Sequence, residues 1–192
     1  MGREFELKYR ATAEQLAAIG AAYGPFREIT METTYFDTPD RVFSQRKWTL
    51  RQRLENGISV CALKIPGENG SCGEWETECA EISEAVLALC KLGAPEELAA
   101  LAGNGLTPIC SARFIRQAAH IQREDCTVEL ALDRGFLRGG IRMELMKEVE
   151  VELKSGAEEG AVAFANALAE EYRLVPESRS KFKRALALTE MR

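Results

Sequence analysis

Residues 142–154, Arg142-Met143-Glu144-Leu145-Met146-Lys147-Glu148-Val149-Glu150-Val151-Glu152-Leu153-Lys154, alternate charged and apolar side chains through most of their length. Successive side chains of a strand point to opposite faces. Arg142, Glu144, Glu148, Glu150, Glu152 and Lys154 therefore share one face, and Met143, Leu145, Val149, Val151 and Leu153 the other. Solvated strand faces ordinarily mix Thr, Ser, Gln and Lys. Here three glutamates succeed one another at i, i+2, where like charges repel unless cations lie between them. The stretch predicts a strand whose charged face meets positive charge.

The same split recurs outward along the chain. Glu4, Glu6, Lys8 and Arg10 oppose Phe5, Leu7 and Tyr9; Arg51 and Arg53 oppose Leu50 and Leu54. Lys64 falls with Val60 and Ala62, and Glu74, Glu76 and Glu78 oppose Trp75, Thr77 and Cys79. Glu129 and Asp133 oppose Val128, Leu130 and Leu132. Period-two stretches predict eight strands, at 3–10, 32–38, 47–54, 58–65, 74–82, 110–119, 126–138 and 141–154. Asn56-Gly57 predicts a tight hairpin turn and Arg138-Gly139-Gly140 a second, while 67–73 reads as a loop. Asp37-Thr38 ahead of Pro39 reads as a strand-ending turn. Helices are expected at 13–23, capped by Thr12 and ended by Gly24-Pro25, and from Ser83 to the break at Gly93-Ala94-Pro95. A helical turn is expected at 96–102, and further helices at 157–173 and 178–189. This order predicts an α+β fold, an antiparallel barrel or sandwich with its charged face inward and its helices packed outside.

Composition narrows the chemistry. The chain of 192 residues, 46% hydrophobic and 29% charged, fits a soluble globular domain. No apolar run approaches the ~20 residues that span a bilayer. The opening Met1-Gly2-Arg3-Glu4-Phe5-Glu6 lacks the character of a signal peptide, so a cytoplasmic location is expected. The net charge of −5 weighs against nucleic acid as a partner. Cysteines at 61, 72, 79, 90, 110 and 126 form no C-x-x-C pair, and His120 is the lone histidine. Zinc, a disulfide framework and a Ser-His-Asp set are thereby disfavoured. Gly67, Gly70 and Gly73 lack the Gly-Lys-Ser/Thr ending of a P-loop. His120, Trp48 and Trp75 read as structural. Clustered carboxylates without His or Cys favour Mg²⁺ or Mn²⁺, hard cations that pair with phosphates. Arg51, Arg53, Lys64 and Lys181 supply donors for phosphate oxygens. Arg113 and Arg116 fall on opposite faces of one strand, and Arg113 is the inward choice.

Several segments, in order, carry a resemblance. Glu4-x-Glu6-x-Lys8, Tyr35-Phe36-Asp37-Thr38, Leu50-Arg51-Gln52-Arg53, Ala62-Leu63-Lys64, Glu74-Trp75-Glu76-Thr77-Glu78, Glu148-Val149-Glu150-Val151-Glu152-Leu153 and Ser180-Lys181 resemble the motifs of the CYTH superfamily, the triphosphate tunnel metalloenzymes. The chain looks most similar to bacterial inorganic triphosphatases and ends before the helical CHAD domain that many of them carry. It departs from the pattern at Ser71-Cys72-Gly73, where many members have an arginine, and lacks the His-Phe-like pair of cyclase-type members.

The resemblance implies one domain over 1–192, an eight-stranded antiparallel barrel enclosing a charged tunnel. It implies hydrolysis of inorganic triphosphate to diphosphate and phosphate. Lys8, Arg51, Arg53, Lys64, Arg113 and Lys181 would hold the polyanion. Glu4 and Glu6 with Glu150 and Glu152 would carry one metal, and Glu76, Glu78 and Asp133 a second. Glu4, Glu6, Lys8, Glu78 and Asp133 are the expected catalytic set. Class IV-type adenylate cyclase, thiamine triphosphatase and a non-catalytic polyphosphate or nucleotide binder are the alternatives on the same fold. The expected partner is a small-molecule triphosphate, with no membrane and with a homodimer left open.

Overall fold

The computed structural model describes residues 5–67 and 72–190, with the backbone alone at Cys72. Glu4 and Ser71, both singled out in the sequence, lie outside the described residues, as do the Cys72 side chain and most of the predicted 67–73 loop. The elements run β1 (Glu6–Arg10), α1 (Ala13–Tyr23), β2 (Arg27–Asp37), α2 (Val42–Gln45), β3 (Thr49–Glu55), β4 (Ile58–Pro66) and β5 (Cys72–Glu78). They continue with α3 (Ile82–Lys91), α4 (Glu97–Ala102), β6 (Thr107–Gln122), β7 (Cys126–Gly139) and β8 (Arg142–Gly156). The chain closes with α5 (Glu158–Tyr172), β9 (Val175–Pro176) and α6 (Lys181–Glu190).

All strands join one antiparallel sheet in the order β5-β4-β3-β2-β6-β7-β8-β1-β9. The predicted α+β class holds. No ladder joins β5 to β9 among the described residues, so the sheet has two edges and the closure expected of a barrel is not seen. β9 is a short added edge whose Pro176 has no N–H for a further ladder.

Two helix groups cover one face. α1 and α5 pack over β1, β7 and β8, around Val128, Leu130, Leu132, Val149 and Val151. α1 is set locally: Thr12 Oγ1 accepts from Gln15 N while Gln15 Oε1 accepts from Thr12 N, a reciprocal cap. Leu16 and Ile19, one turn apart, are fully buried, each contributing about 1.5–3 kcal/mol by removal from water. α2, α3 and α4 cover Leu50, Cys61 and Leu63 at the other end, where Trp48 and Trp75 also pack.

α6 departs from the expectation that helices lie only on the apolar face. It packs on the other one, with Ala185 and Leu188 against Ile29, Met31, Cys110, Ala112, Phe114, Leu137 and Met146, and Phe182 tilted on Tyr35. The reason is in β2, β6 and β7. Their side chains on the face shared with Arg51, Arg116 and Asp133 are apolar along part of its length, and that stretch needs a cover.

Long elements exceed their alternating cores. β2 starts at Arg27 because its whole length pairs with β6, from Arg27↔Ala118 to Asp37↔Thr107, and β6 runs on to Gln122 because its end pairs with β7, to Gln122↔Thr127. Ladder hydrogen bonds sustain residues that show no period of their own. α3 begins one residue before the predicted Ser83 cap, with Glu81 as N-cap. The buried Asp37 carboxylate accepts from the N–H groups of Thr38, Phe43 and Ser44 and from Ser44 Oγ, tying the end of β2 to α2. The five described cysteine side chains are free thiols. No described helix is long and apolar enough to cross a membrane.

Candidate active site

Asp133 on β7 stands opposite Glu148 on β8, and Glu150 follows two residues on, so period two alone places all three carboxylates on one face. Their oxygens lie within 4.8 Å of one another, and all three residues are buried. Three cations hold them there. Arg116, opposite Asp133 on β6, donates from Nε and Nη2 to the two Asp133 oxygens, each at 2.8 Å, and from Nη2 to Glu150. Lys181 Nζ lies 2.9 Å from Asp133 Oδ2, 2.9 Å from Glu148 Oε2 and 2.5 Å from Glu150 Oε1. Arg184, one turn further along α6, pairs with Glu148 and Glu144. A buried charge is tolerated only when paired, and here the trio is matched cation for carboxylate.

The electrostatics follow. Burial works against the Glu150 carboxylate, yet Lys181 and Arg116 outweigh it and hold its pKa well below the ordinary range. Burial likewise opposes the Lys181 ammonium, but Asp133, Glu150 and Glu148 raise it well above a normal lysine. Arg116 is raised in the same way, by Glu150 and Asp133 against its own burial. All three groups stay charged at neutral pH.

A second row continues across β3, β4 and β5. Arg51 Nη2 donates to Glu74 Oε1 at 3.0 Å, and Lys64 Nζ lies 3.2 Å from the other Glu74 oxygen. Arg53 Nη2 pairs with Glu55 at 2.5 Å, while its buried Nε has no hydrogen-bond partner. Burial, and then the like charge of Arg51, depress the Arg53 pKa. Tyr35 between the rows is buried, which raises its phenol pKa against the pull of Arg51, Lys181 and Arg53.

The predicted residues divide on this geometry. Lys8 stands opposite Glu150 in the ladder and donates to Glu6 at 2.9 Å; Glu6 in turn stands opposite Glu152, which pairs with Lys154 at 2.8 Å. Lys8, Arg51, Arg53, Lys64, Asp133, Glu150 and Lys181 share the α6-bearing face. Arg113 does not. It lies on the opposite face, largely exposed and 3.4 Å from Glu32, and Arg116 takes the inward position because its register sets it beside Asp133. The expected grouping of Asp133 with Glu76 and Glu78 is also replaced. Glu76 and Glu78 are exposed on the β5 edge, and Asp133 gathers with Glu148 and Glu150 instead. Glu148 and Arg184 were missed as site residues. Glu148 continues the Glu150-Glu152 run backward, and Arg184 follows Lys181 at i+3 on a helix face, so both signals were present.

Glu177 closes the α6 end of this network. Its carboxylate accepts from Arg179 N, Nε and Nη2 and from Arg10 Nε, and the Arg179 bonds lead in holding its pKa down to about 2. A carboxyl whose folded pKa is depressed stabilises fully above its ordinary value near 4.5 and loses that contribution as pH falls toward about 2. Thermal melts of the wild type should therefore drop across that window, and Glu177→Gln should show a shallower fall. Parallel curves would remove Glu177 from the acid response.

The trio suits a hard divalent cation: every donor is oxygen, as Mg²⁺ or Mn²⁺ prefers. Glu148 Oε2 is buried without a hydrogen bond although the Lys181 ammonium is near, which leaves it able to coordinate. An antiparallel sheet with helices on both faces and a buried row of alternating carboxylates and cations defines the class of α+β protein present here. The chain belongs to the CYTH family, whose domain model matches residues 2–186. It is similar to the inorganic triphosphatase of Haemophilus influenzae, 27% identical over 164 residues covering 84% of this chain and 47% of that protein. The chain thus spans about half the length of this curated relative. Among solved structures it is similar to a putative adenylate cyclase from Bacillus halodurans, with TM-score 0.64, 22% identity and coverage of 96% and 98% of the two chains. A Hippeastrum protein described as a putative adenylyl cyclase with a dominant triphosphatase activity matches with TM-score 0.70, 17% identity and coverage of 97% and 96%. At these identities the likeness is one of fold.

Proposed function

We propose that the chain hydrolyses inorganic triphosphate to diphosphate and phosphate in a metal-dependent reaction, with the α6-bearing face enclosing the polyanion as a tunnel. The observation that carries this reading is the buried, unpartnered Nε of Arg53, on the same face of the sheet as Arg51, Lys64 and the Asp133–Glu148–Glu150 trio. A buried donor without an acceptor costs free energy that an anionic oxygen recovers.

In this reading Arg51, Arg53 and Lys64 take the oxygens of one end of the triphosphate, and Lys8, Arg116 and Lys181 those nearer the trio. Asp133, Glu148 and Glu150 would hold Mg²⁺ or Mn²⁺, with Glu6 and Glu152 beside them. A divalent ion bound there supplies charge neutralisation on phosphate oxygens and a water of lowered pKa. Water attacks the terminal phosphorus in line with the bridging oxygen, and that P–O bond breaks to release diphosphate. The side chains form no covalent bond; they align the chain and offset its developing charge.

Colorimetric phosphate release from tripolyphosphate, with thiamine triphosphate and ATP in parallel and each metal in turn, tests the proposal. Metal-dependent release, fastest from tripolyphosphate, is expected and should vanish with EDTA. Binding without release identifies a carrier of polyphosphate, and cyclic AMP from ATP identifies a cyclase; either result removes the proposed activity.

A further inference from the structure

Lys181 occupies the space among the three carboxylates that a divalent ion would need. Its ammonium contacts Asp133, Glu148 and Glu150 at once, and these are the same three residues whose oxygens converge within 4.8 Å. Arg116 and Arg184 approach from the sides, Arg116 gripping Asp133 and Glu150 and Arg184 gripping Glu148. Among the described residues, Lys181 alone meets all three. A second cation inside so small a group of oxygens would face the ammonium at contact distance, and burial weakens the screening of that repulsion.

Lys181 is also able to leave. It is the first residue of α6, and its stem passes the Phe114 ring with Nζ 5.1 Å from the centroid. The helix itself is held by Phe182 on Tyr35, by Ala185 and Leu188 in the apolar cover, and by Arg184. A four-carbon side chain can therefore swing while its backbone stays fixed. Phe182, the next residue, packs on Tyr35, and Tyr35 stands opposite Arg51 in the β2–β3 ladder, so α6 begins over the strand that borders the arginine row.

We propose that Lys181 is a resident stand-in for the metal ion: in the substrate-free protein it fills the trio and excludes divalent cations, and a polyphosphate releases the site by drawing the ammonium onto its own oxygens. The inference rests on the reading of this face as a triphosphate site. Metal and polyphosphate then favour one another's binding, and the coupling is reciprocal by linkage. The free enzyme binds Mn²⁺ weakly because the competent state, with Lys181 displaced, is a minor one.

Electron paramagnetic resonance counts free Mn²⁺ directly and needs no turnover. Lys181→Met should tighten Mn²⁺ binding to the substrate-free protein by about tenfold or more, the factor expected when a state populated near a tenth becomes dominant. Lys181→Gln should do the same, and serves if the methionine variant fails to fold. Lys147→Met removes a positive charge from the exposed, opposite face of the same strand β8, and should change Mn²⁺ affinity by less than about threefold. Equal affinity in the wild type and both Lys181 variants overturns the proposal, and so does an equal gain in Lys147→Met, which would make the effect one of net charge. Phosphate release by the wild type is measured on the same preparation. Tightened Mn²⁺ binding without wild-type turnover supports the exchange and removes the hydrolase reading alone; turnover with unchanged Mn²⁺ affinity does the reverse.

Discussion

Glu150→Gln is expected to lower kcat/KM for tripolyphosphate by about 100-fold or more, as loss of a preorganised charge in a reacting site does. The substitution keeps the size of the side chain and an oxygen to accept from Lys181 and Arg116, so the packing of β8 against β7 survives. What it removes is one negative charge from the group that would hold the cation, leaving Asp133 and Glu148 to face Arg116 and Lys181. Far-ultraviolet circular dichroism should match the wild type while phosphate release collapses. A folded variant turning over within about threefold of the wild type would show that the chemistry lies elsewhere on the sheet.

Arg184→Leu should cost about 3–5 kcal/mol of stability, because it strips one partner from a buried ion pair and leaves the other charged. Arg184 is 4% exposed and Glu148 1%, so water cannot replace the lost guanidinium. For a chain of this size the loss corresponds to roughly 6–20 °C in Tm. Leucine itself fits, since Ala185 and Leu188 already pack on the same face. The penalty should shrink when Glu148→Gln is added, since the doubly substituted protein buries no unmatched charge there. Urea denaturation of the wild type, the two single variants and the double variant measures the coupling. A single-variant loss under about 1 kcal/mol would mean that the pair behaves as a solvated one.

Local structure was readable wherever the residues encode it by themselves. The cap on α1 is Thr12 and Gln15, three residues apart, and the helix occupies the predicted 13–23. The alternation in 142–154 turns Glu148 and Glu150 to one face and Val149 and Val151 to the other, as period two demands. The oxygen-only character of the trio was likewise implicit in a chain with clustered carboxylates and one histidine. Less was visible where length was the signal. Val175–Pro176 is too short to show a period, and α2 is a single turn organised by Asp37 rather than by its own sequence.

Each residue's face along its own strand was a property of the chain, because backbone geometry alternates side chains whatever lies beside them. Partner choice was not. Arg113 and Arg116 are equivalent on paper; β6 pairs with β7 in the register that puts Arg116 beside Asp133, and that register is a long-range agreement among ladders. The same holds for Asp133 joining Glu148 and Glu150 rather than Glu76 and Glu78, for the edges left at β5 and β9, and for α6 crossing the charged face. Lys181 could be named from its motif, but its place among three carboxylates exists only once β7, β8 and α6 converge. Charge pairing acts through space over a few ångströms, and residues separated by tens of positions meet there only in the folded chain.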